Sequence, residues 1–101
     1  MSNDTNKIGP LLKEIKNIFH EILKLEQPPI VKLAAISCLN LISIMEKKFG
    51  NSEIKDLVKI FNVLRGTFTS IPEEKYKNIL PKEFKVISEK IELLHEILKN
   101  L

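Results

Sequence analysis

The chain has 101 residues, 44% of them hydrophobic and 29% charged, with a formal net charge of +3. This length allows one domain with one core, and the composition is that of a globular protein. The positive charge comes almost entirely from lysine, because Arg65 is the one arginine, and the lysines alternate with acidic residues as they do on a solvated helical surface.

The first helix is predicted by apolar residues spaced alternately by three and four positions: Ile8, Leu11, Ile15, Ile18, Ile22 and Leu25. Residues 1–7 precede this pattern and are predicted to be disordered. Pro10 is compatible with the first helical turn, where its missing N–H leaves no bond unmade. The prolines of EQPP, residues 26–29, end this helix and begin the next.

The second helix is predicted to run from about Pro29 to Phe49. It ends at Gly50, which can adopt the left-handed conformation common after a helix C-terminus. Its apolar side chains, Leu33 and Leu41 among them, cover most of the helix circumference. A helix that is apolar on nearly all sides is expected to be buried on nearly all sides. We therefore predict that this helix is central in the fold.

The third helix is predicted to begin at a cap formed by Asn51 or Ser52. Its apolar seam consists of Ile54, Leu57, Phe61, Leu64, Phe68 and Ile71. Gly66 interrupts the pattern of good helix formers, and a glycine costs about 1 kcal/mol in a helix interior. The helix is therefore expected to fray or bend at that residue.

A short helix and a last long helix complete the predicted fold. Ser70 and Glu73 match a capping box, which would begin a short helix carrying Tyr76, Ile79 and Leu80. The last helix has the seam Phe84, Ile87, Ile91, Leu94, Leu98 and Leu101. The sequence thus predicts an all-α antiparallel bundle of four long helices and one short helix, in a single domain spanning residues 1–101.

Cys38 is the single cysteine, so an internal disulfide and a paired-cysteine metal site are excluded. Its surroundings, AAISCLNLI, predict a buried and unreactive thiol. The opening residues MSNDTNKIG lack the apolar segment of a signal peptide. The apolar stretch of residues 30–45 is shorter than the ~20 residues that a membrane span needs. We therefore expect a cytoplasmic protein without a membrane span.

The pentapeptide HEILK occurs at residues 20–24 and again at 95–99. A zinc-binding helix would need a second histidine at the fifth position, where Lys24 and Lys99 stand. ELLH at 92–95 has the glutamate–histidine spacing of di-iron bundles, but its counterpart NIFH has Asn17 in place of the carboxylate. We therefore predict no metal, no cofactor and no catalytic residue, and a protein that is not an enzyme.

Two helices carry apolar residues beyond their core seams. On the last helix these are Val86, Leu93 and Ile97, and on the first they are Leu12, Phe19 and Leu23. One interpretation is internal packing, because each terminal helix of a bundle touches two neighbours. We favour an interface, in which the last helix pairs with a second copy of the chain or receives a partner's helix.

The functional prediction is a non-catalytic protein-interaction module that self-associates, as a dimer, through such a stripe. The alternative is a nucleic-acid-associated bundle that binds through Lys13, Lys16, Lys47, Lys48, Lys82 and Lys85. In size and basic helical character the chain is also loosely similar to bacteriocin immunity proteins and to small helical proteins of mobile elements and viruses. That resemblance is one of architecture, and it implies a protein that neutralises a protein partner.

Overall fold

The fold is a four-helix bundle, seen in a computed structural model that describes residues 5–50, 53–78 and 80–100. The helices are α1 (Thr5–Lys24), α2 (Pro29–Lys48), α3 (Ile54–Thr69) and α4 (Pro81–Lys99). A single 3-10 turn, Glu73–Lys75, lies between α3 and α4. The described residues contain no β-strand, which confirms the predicted all-α class.

The four helices form a closed ring in which each one packs against two others. α1 contacts α2, α2 contacts α3, α3 contacts α4, and α4 returns to α1. Neighbours are antiparallel, as the α3–α4 pair shows: Arg65 pairs with Glu92, and Phe61, one turn earlier, faces His95, one turn later. The result is an up-down bundle measuring 42 × 20 × 20 Å.

The core follows the three predicted seams. Most seam residues of α1, α3 and α4 are fully or nearly fully buried, with Ile8, Ile15, Leu57, Leu64, Ile87 and Leu94 at 0–1% exposure. Leu25, predicted as the last seam residue of the first helix, is instead 44% exposed, because α1 ends at Lys24. Leu101 lies outside the described residues. Among the described residues, no polar or charged side chain is buried, so hydrophobic burial holds the helices together.

The prediction that the second helix is central is wrong. One side of α2 is buried, through Val31, Ala34, Ala35, Cys38, Ile42 and Met45. On the other side Leu33 is 66% exposed, and Leu41, between the two sides, is half-buried. In a ring of four helices each member has two neighbours, and these cover about half of its surface. Burying the other side of α2 would require a third neighbouring helix, which the apolar sequence of α2 does not by itself provide.

Two predicted helix starts are also wrong. α1 already includes Thr5, so Pro10 lies inside the helix and residues 5–7 are helical rather than disordered. The tight turn that begins at Glu73 follows Pro72, and no side-chain cap forms there. Ser70 Oγ instead donates to the carbonyl oxygen of Thr67 at 2.7 Å, which excludes the capping box. Residues 1–4 lie outside the described part of the chain.

Other predicted boundaries agree better with the structure. Gly50 follows α2 with a φ of +86°, the left-handed conformation expected of it. Glu53 is the residue that precedes α3, without a side-chain cap, while the predicted caps Asn51 and Ser52 lie outside the described residues. α3 runs through Gly66 to Thr69 without ending at the glycine.

Stacked rings hold the α3–α4 connection against one end of the bundle. The Tyr76 ring stacks on Phe84 with centroids 4.0 Å apart, and Phe84 stacks on Phe68 at 5.5 Å. Phe68 meets the edge of Phe19 on α1 at 6.2 Å. Aromatic pairs in these arrangements contribute about 0.5–1.5 kcal/mol beyond their burial. The predicted short helix is thus a tight turn anchored by a ring stack, and Ile79 lies outside the described residues.

A core substitution and a surface substitution should differ in their effect on the free energy of unfolding, and this difference tests which side of α3 and α4 is buried. Ile91→Ala removes a side chain that is 1% exposed, and we expect it to lower the free energy of unfolding by about 2–5 kcal/mol. Val63→Ala, at a site 56% exposed, should change it by no more than about 0.5 kcal/mol. Equal losses in denaturant melts would show that the buried face of α3 or α4 is misassigned.

Two glycines should respond in opposite directions to alanine. A Cβ at Gly66 would meet nothing within 4 Å, so Gly66→Ala should raise the free energy of unfolding by about 1 kcal/mol through better helix propensity. Gly50→Ala should lower it, because its φ of +86° is strained for an L side chain. Thermal melts of both variants test this, and stabilisation by Gly50→Ala would contradict the assigned helix end.

Candidate interaction surface

The least covered apolar surface lies on the solvent side of α2. Leu33 is 66% exposed, Ile30 44%, Ile44 42% and Ile36 40%. Ser37 and Asn40, also exposed, lie among these four side chains along the helix. We call this surface the outer face of α2, defined by Ile30, Leu33, Ile36, Ser37, Asn40 and Ile44.

No charged residue interrupts this face between Lys32 and Glu46. The solvent sides of the other helices are strongly charged. On α1, for example, the exposed residues include Lys13, Glu14, His20, Glu21 and Lys24. By length and mean hydropathy alone α2 would suffice to cross a bilayer, a property that core helices of soluble proteins share. In this bundle the same composition gives α2 one buried apolar side and one exposed one.

Part of the outer face has the spacing of a helix–helix seam. Leu33, Ser37, Asn40 and Ile44 are separated by four, three and four positions, and at 100° per residue they fall within about 60° of one another. This spacing is the one by which helices pair along a heptad seam. The seam has apolar ends and a polar middle, because Ser37 and Asn40 lie between the leucine and the isoleucine.

The interface predicted on the last helix is not continuous. Val86 is 42% exposed and Leu93 is 50% exposed, but Ile97 is 5% exposed and belongs to the core. The two exposed residues lie seven positions apart, with charged side chains such as Glu89 and Lys90 between them. Isolated apolar residues of this kind are normal on protein surfaces.

The extra apolar residues of the first helix also lie mainly inside the bundle. Leu12 is fully buried and Phe19 is 1% exposed, while Leu23 is half-buried and packs against the core. In this arrangement α1 uses them to fill the interior beside its two neighbours. Internal packing, the alternative interpretation of the stripes, therefore describes α1 and the Ile97 end of α4.

Ion pairs occupy the outer edges of three helix contacts. Lys16 pairs with Glu46 between α1 and α2 at 3.1 Å, and Lys90 pairs with Glu14 between α4 and α1 at 2.7 Å. Between α3 and α4, Arg65 Nε donates to Glu92 Oε2 at 2.8 Å and a second guanidinium nitrogen donates to Oε1 at 3.1 Å. The hydrogen bond from Arg65 lowers the pKa of the Glu92 carboxyl. These exposed pairs add little stability but surround the helix seams with charge.

The groups capable of acid–base or nucleophilic chemistry are scattered. Burial raises the pKa of the Cys38 thiol to about 12, so it is protonated at neutral pH, as a core residue. His20 is exposed on α1, and His95 lies across from the Phe61 ring at 6.0 Å. In the described part of the chain, no three histidine, cysteine or acidic residues are grouped as a metal site would require. The absence of an enzymatic role remains a prediction.

An open groove of about 340 Å³ lies between the end of α1 and the start of α4. It is lined by Ile18, Glu21, Leu25, Lys82, Glu83 and Val86. Its floor is apolar, and both acidic and basic side chains lie at its rim. A ligand site normally adds a few converging polar groups to a deeper apolar cleft, and this groove is shallow and open.

The lysines proposed for nucleic-acid binding are spread over α1, α2 and α4. Lys16 is already engaged with Glu46, and Lys82 and Lys85 share the start of α4 with Glu83. Phosphate binding is strongest where several cations face one backbone without intervening carboxylates. The mixed charges thus give less support to this alternative than the outer face of α2 gives to protein binding.

Sequence reasoning missed the outer face of α2 although its signal was present. Residues 33–45 contain no charge, and Ser37 and Asn40 lie on the side opposite Val31 and Ile42. Those two polar residues mark the solvent side, whereas the high apolar content of the helix predicts burial on nearly all sides.

No family model, no curated protein and no solved structure matches this chain. We therefore infer its function from its own surface.

Proposed function

We propose that this protein is a non-catalytic protein-interaction module that binds its partner through the outer face of α2. One observation carries the proposal. Four large apolar side chains, each 40–66% exposed, lie on one side of a single helix, and three of them, Leu33, Ile36 and Ile44, belong to the uncharged stretch between Lys32 and Glu46. An uncharged and largely apolar helix face of this kind, beside solvent sides that are strongly charged, is typical of an interaction site on a soluble domain.

The energetic reason is the transfer of these side chains out of water. Burying a leucine or isoleucine side chain contributes about 1.5–3 kcal/mol, in proportion to the apolar area covered. Leu33 has about two-thirds of its surface still available for this gain. A partner that covers Leu33 and Ile44 together would therefore receive a large part of its binding free energy from two residues.

The outer face is also held in place before any partner arrives. On the opposite side of α2, Val31, Cys38, Ile42 and Met45 are fully buried against the rest of the bundle. A helix fixed in this way presents its solvent side in a single arrangement, so little ordering is needed on binding. Preformed surfaces of this kind lose less free energy when they associate.

The exposed residues of α4 support binding less well. Leu93 is 50% exposed, close to the average of the α2 residues, but it is flanked by Glu89, Glu92 and Glu96. A partner covering Leu93 would also have to desolvate those carboxylates, and charged groups are depleted at the centre of interfaces. The charge pattern, rather than the exposure of one residue, favours α2.

Replacing Leu33 by glutamate should separate binding from folding. Leu33→Glu places a charge at the most exposed apolar residue of the proposed contact, and we expect partner affinity to fall about tenfold to hundredfold or more. The fold should persist, because the site is exposed and glutamate is a good helix former. The measurement is recovery of partners, including a second, differently tagged copy, on affinity purification from cells, with helicity checked by circular dichroism.

Leu93→Glu is the matched control, since it introduces the same charge at a similarly exposed leucine on α4. It should retain the partners that Leu33→Glu loses. Partners retained by Leu33→Glu, or lost equally from both variants, would contradict the assignment of the binding surface to α2.

A further inference from the structure

We infer that the outer face of α2 binds the same face of a second copy, with the two α2 helices antiparallel. This inference rests on the proposed function, because it names the occupant of that interaction surface. Two features of α2 support it: a symmetry in the residues of the outer face, and the charges at the two ends of the helix.

The seam residues are arranged symmetrically about one point on the helix. Leu33 and Ile44 lie equally far on either side of the midpoint between Cys38 and Leu39, and so do Ser37 and Asn40. A twofold axis at this midpoint would place Leu33 opposite Ile44 of the second copy, twice. Such a self-complementary patch is what a twofold homodimer requires.

The polar middle of the seam becomes complementary in the same arrangement. Ser37 would lie opposite Asn40 of the second copy, where an amide N–H can donate to the serine hydroxyl oxygen and the hydroxyl can donate to the amide oxygen. Symmetry repeats this pair across the axis. A shift of the register by seven residues in either direction would place Asn40 opposite Ile44 or Ile30 and leave its amide unpaired, so the polar pair favours the stated register over these two.

Charges at the ends of α2 favour the antiparallel orientation. Glu26 is exposed just before the helix, and Lys48 is exposed in its last turn. With the axis at the stated midpoint, Lys48 falls opposite Pro29 of the second copy, three residues from Glu26. A parallel pair would instead bring Lys48 next to Lys48 and align the two helix dipoles.

The area of the outer face limits the affinity that can be expected of the dimer. From Ile30 to Ile44 the helix rises about 21 Å, and at about 10 Å wide the strip has roughly 200 Å². Stable specific complexes bury about 800 Å² per partner. The side of the bundle measures 42 by 20 Å, so residues flanking α2 can enlarge the contact. We therefore expect a dimer of micromolar rather than nanomolar affinity.

Single introduced cysteines can read out this geometry, because the natural Cys38 thiol is buried and protonated. In the inferred dimer the two copies of residue 37 lie about 4.5 Å apart along the helix axis, and the two copies of residue 33 lie about 16 Å apart. A short bismaleimide should then link Ser37→Cys to itself. It should link Leu33→Cys to Ile44→Cys in a mixture, and link Leu33→Cys to itself at least tenfold less.

Sedimentation of the purified full chain across the micromolar range supplies the second measurement. The wild type and Leu93→Glu should shift from monomer to dimer, and Leu33→Glu should remain monomeric with unchanged helicity. A monomeric wild type throughout would overturn the inference, as would efficient self-linking of Leu33→Cys, which indicates parallel helices.

Failure of this inference can be told apart from failure of the proposed function. A monomeric wild type that still loses cellular partners through Leu33→Glu would contradict the second copy but keep α2 as the binding face. Binding of the wild type to phosphatidylcholine vesicles, lost in Leu33→Glu and without dimers, would overturn both in favour of a lipid surface.

Discussion

A helix in a ring of four has two neighbours, and this limit determines what the protein presents to solvent. α1, α3 and α4 are amphipathic, so two neighbours are enough to cover their apolar seams. α2 is apolar on nearly all sides, and α1 and α3 cover one side of it while Leu33 and Ile44 remain exposed. The exposed face therefore follows from a mismatch between the composition of one helix and the number of its neighbours.

The rest of the bundle keeps that mismatch in place. α2 cannot rotate to hide Leu33 without exposing Val31, Ile42 and Met45, which are all fully buried. The stack of Phe19, Phe68, Phe84 and Tyr76 at one end limits how far its neighbours can shift. Closely packed interiors resist such shifts, so covering the face requires another molecule.

Much of the fold could be predicted because the spacing of apolar residues in an amphipathic helix indicates which side is buried. The seams through Ile15, Phe61 and Ile91 are buried as the three-and-four pattern indicates. On α2 the contrast is weak, because small polar residues such as Ser37 and Asn40, rather than charged ones, mark its solvent side, and apolar content alone cannot tell a central helix from one with an exposed face. Neighbour number is a property of topology, which hydrophobic periodicity does not encode.

The candidate site was harder to predict for the same reason. Val86 and Leu93 on α4 are exposed as an interface would require, whereas Ile97, Leu12 and Phe19 fill the interior. A helical wheel gives the angular positions of residues on one helix. The fraction of that helix surface that its neighbours cover depends on how all four helices pack together. The prediction of a capping box at Ser70 was wrong for another reason. The Ser70 hydroxyl donates a hydrogen bond back to the carbonyl oxygen of Thr67, and such bonds to the preceding turn compete with capping of the next helix.

The most direct test of whether a second copy of the chain covers the outer face of α2 is hydroxyl-radical footprinting over a range of protein concentrations. Leu33, Ile36 and Ile44 should lose reactivity as the concentration rises through the micromolar range, because the second copy excludes solvent from them. Val63 and Leu93, which have comparable exposure on α3 and α4, should keep their reactivity and serve as internal references. Unchanged reactivity of Leu33 and Ile44 at every concentration would contradict the account.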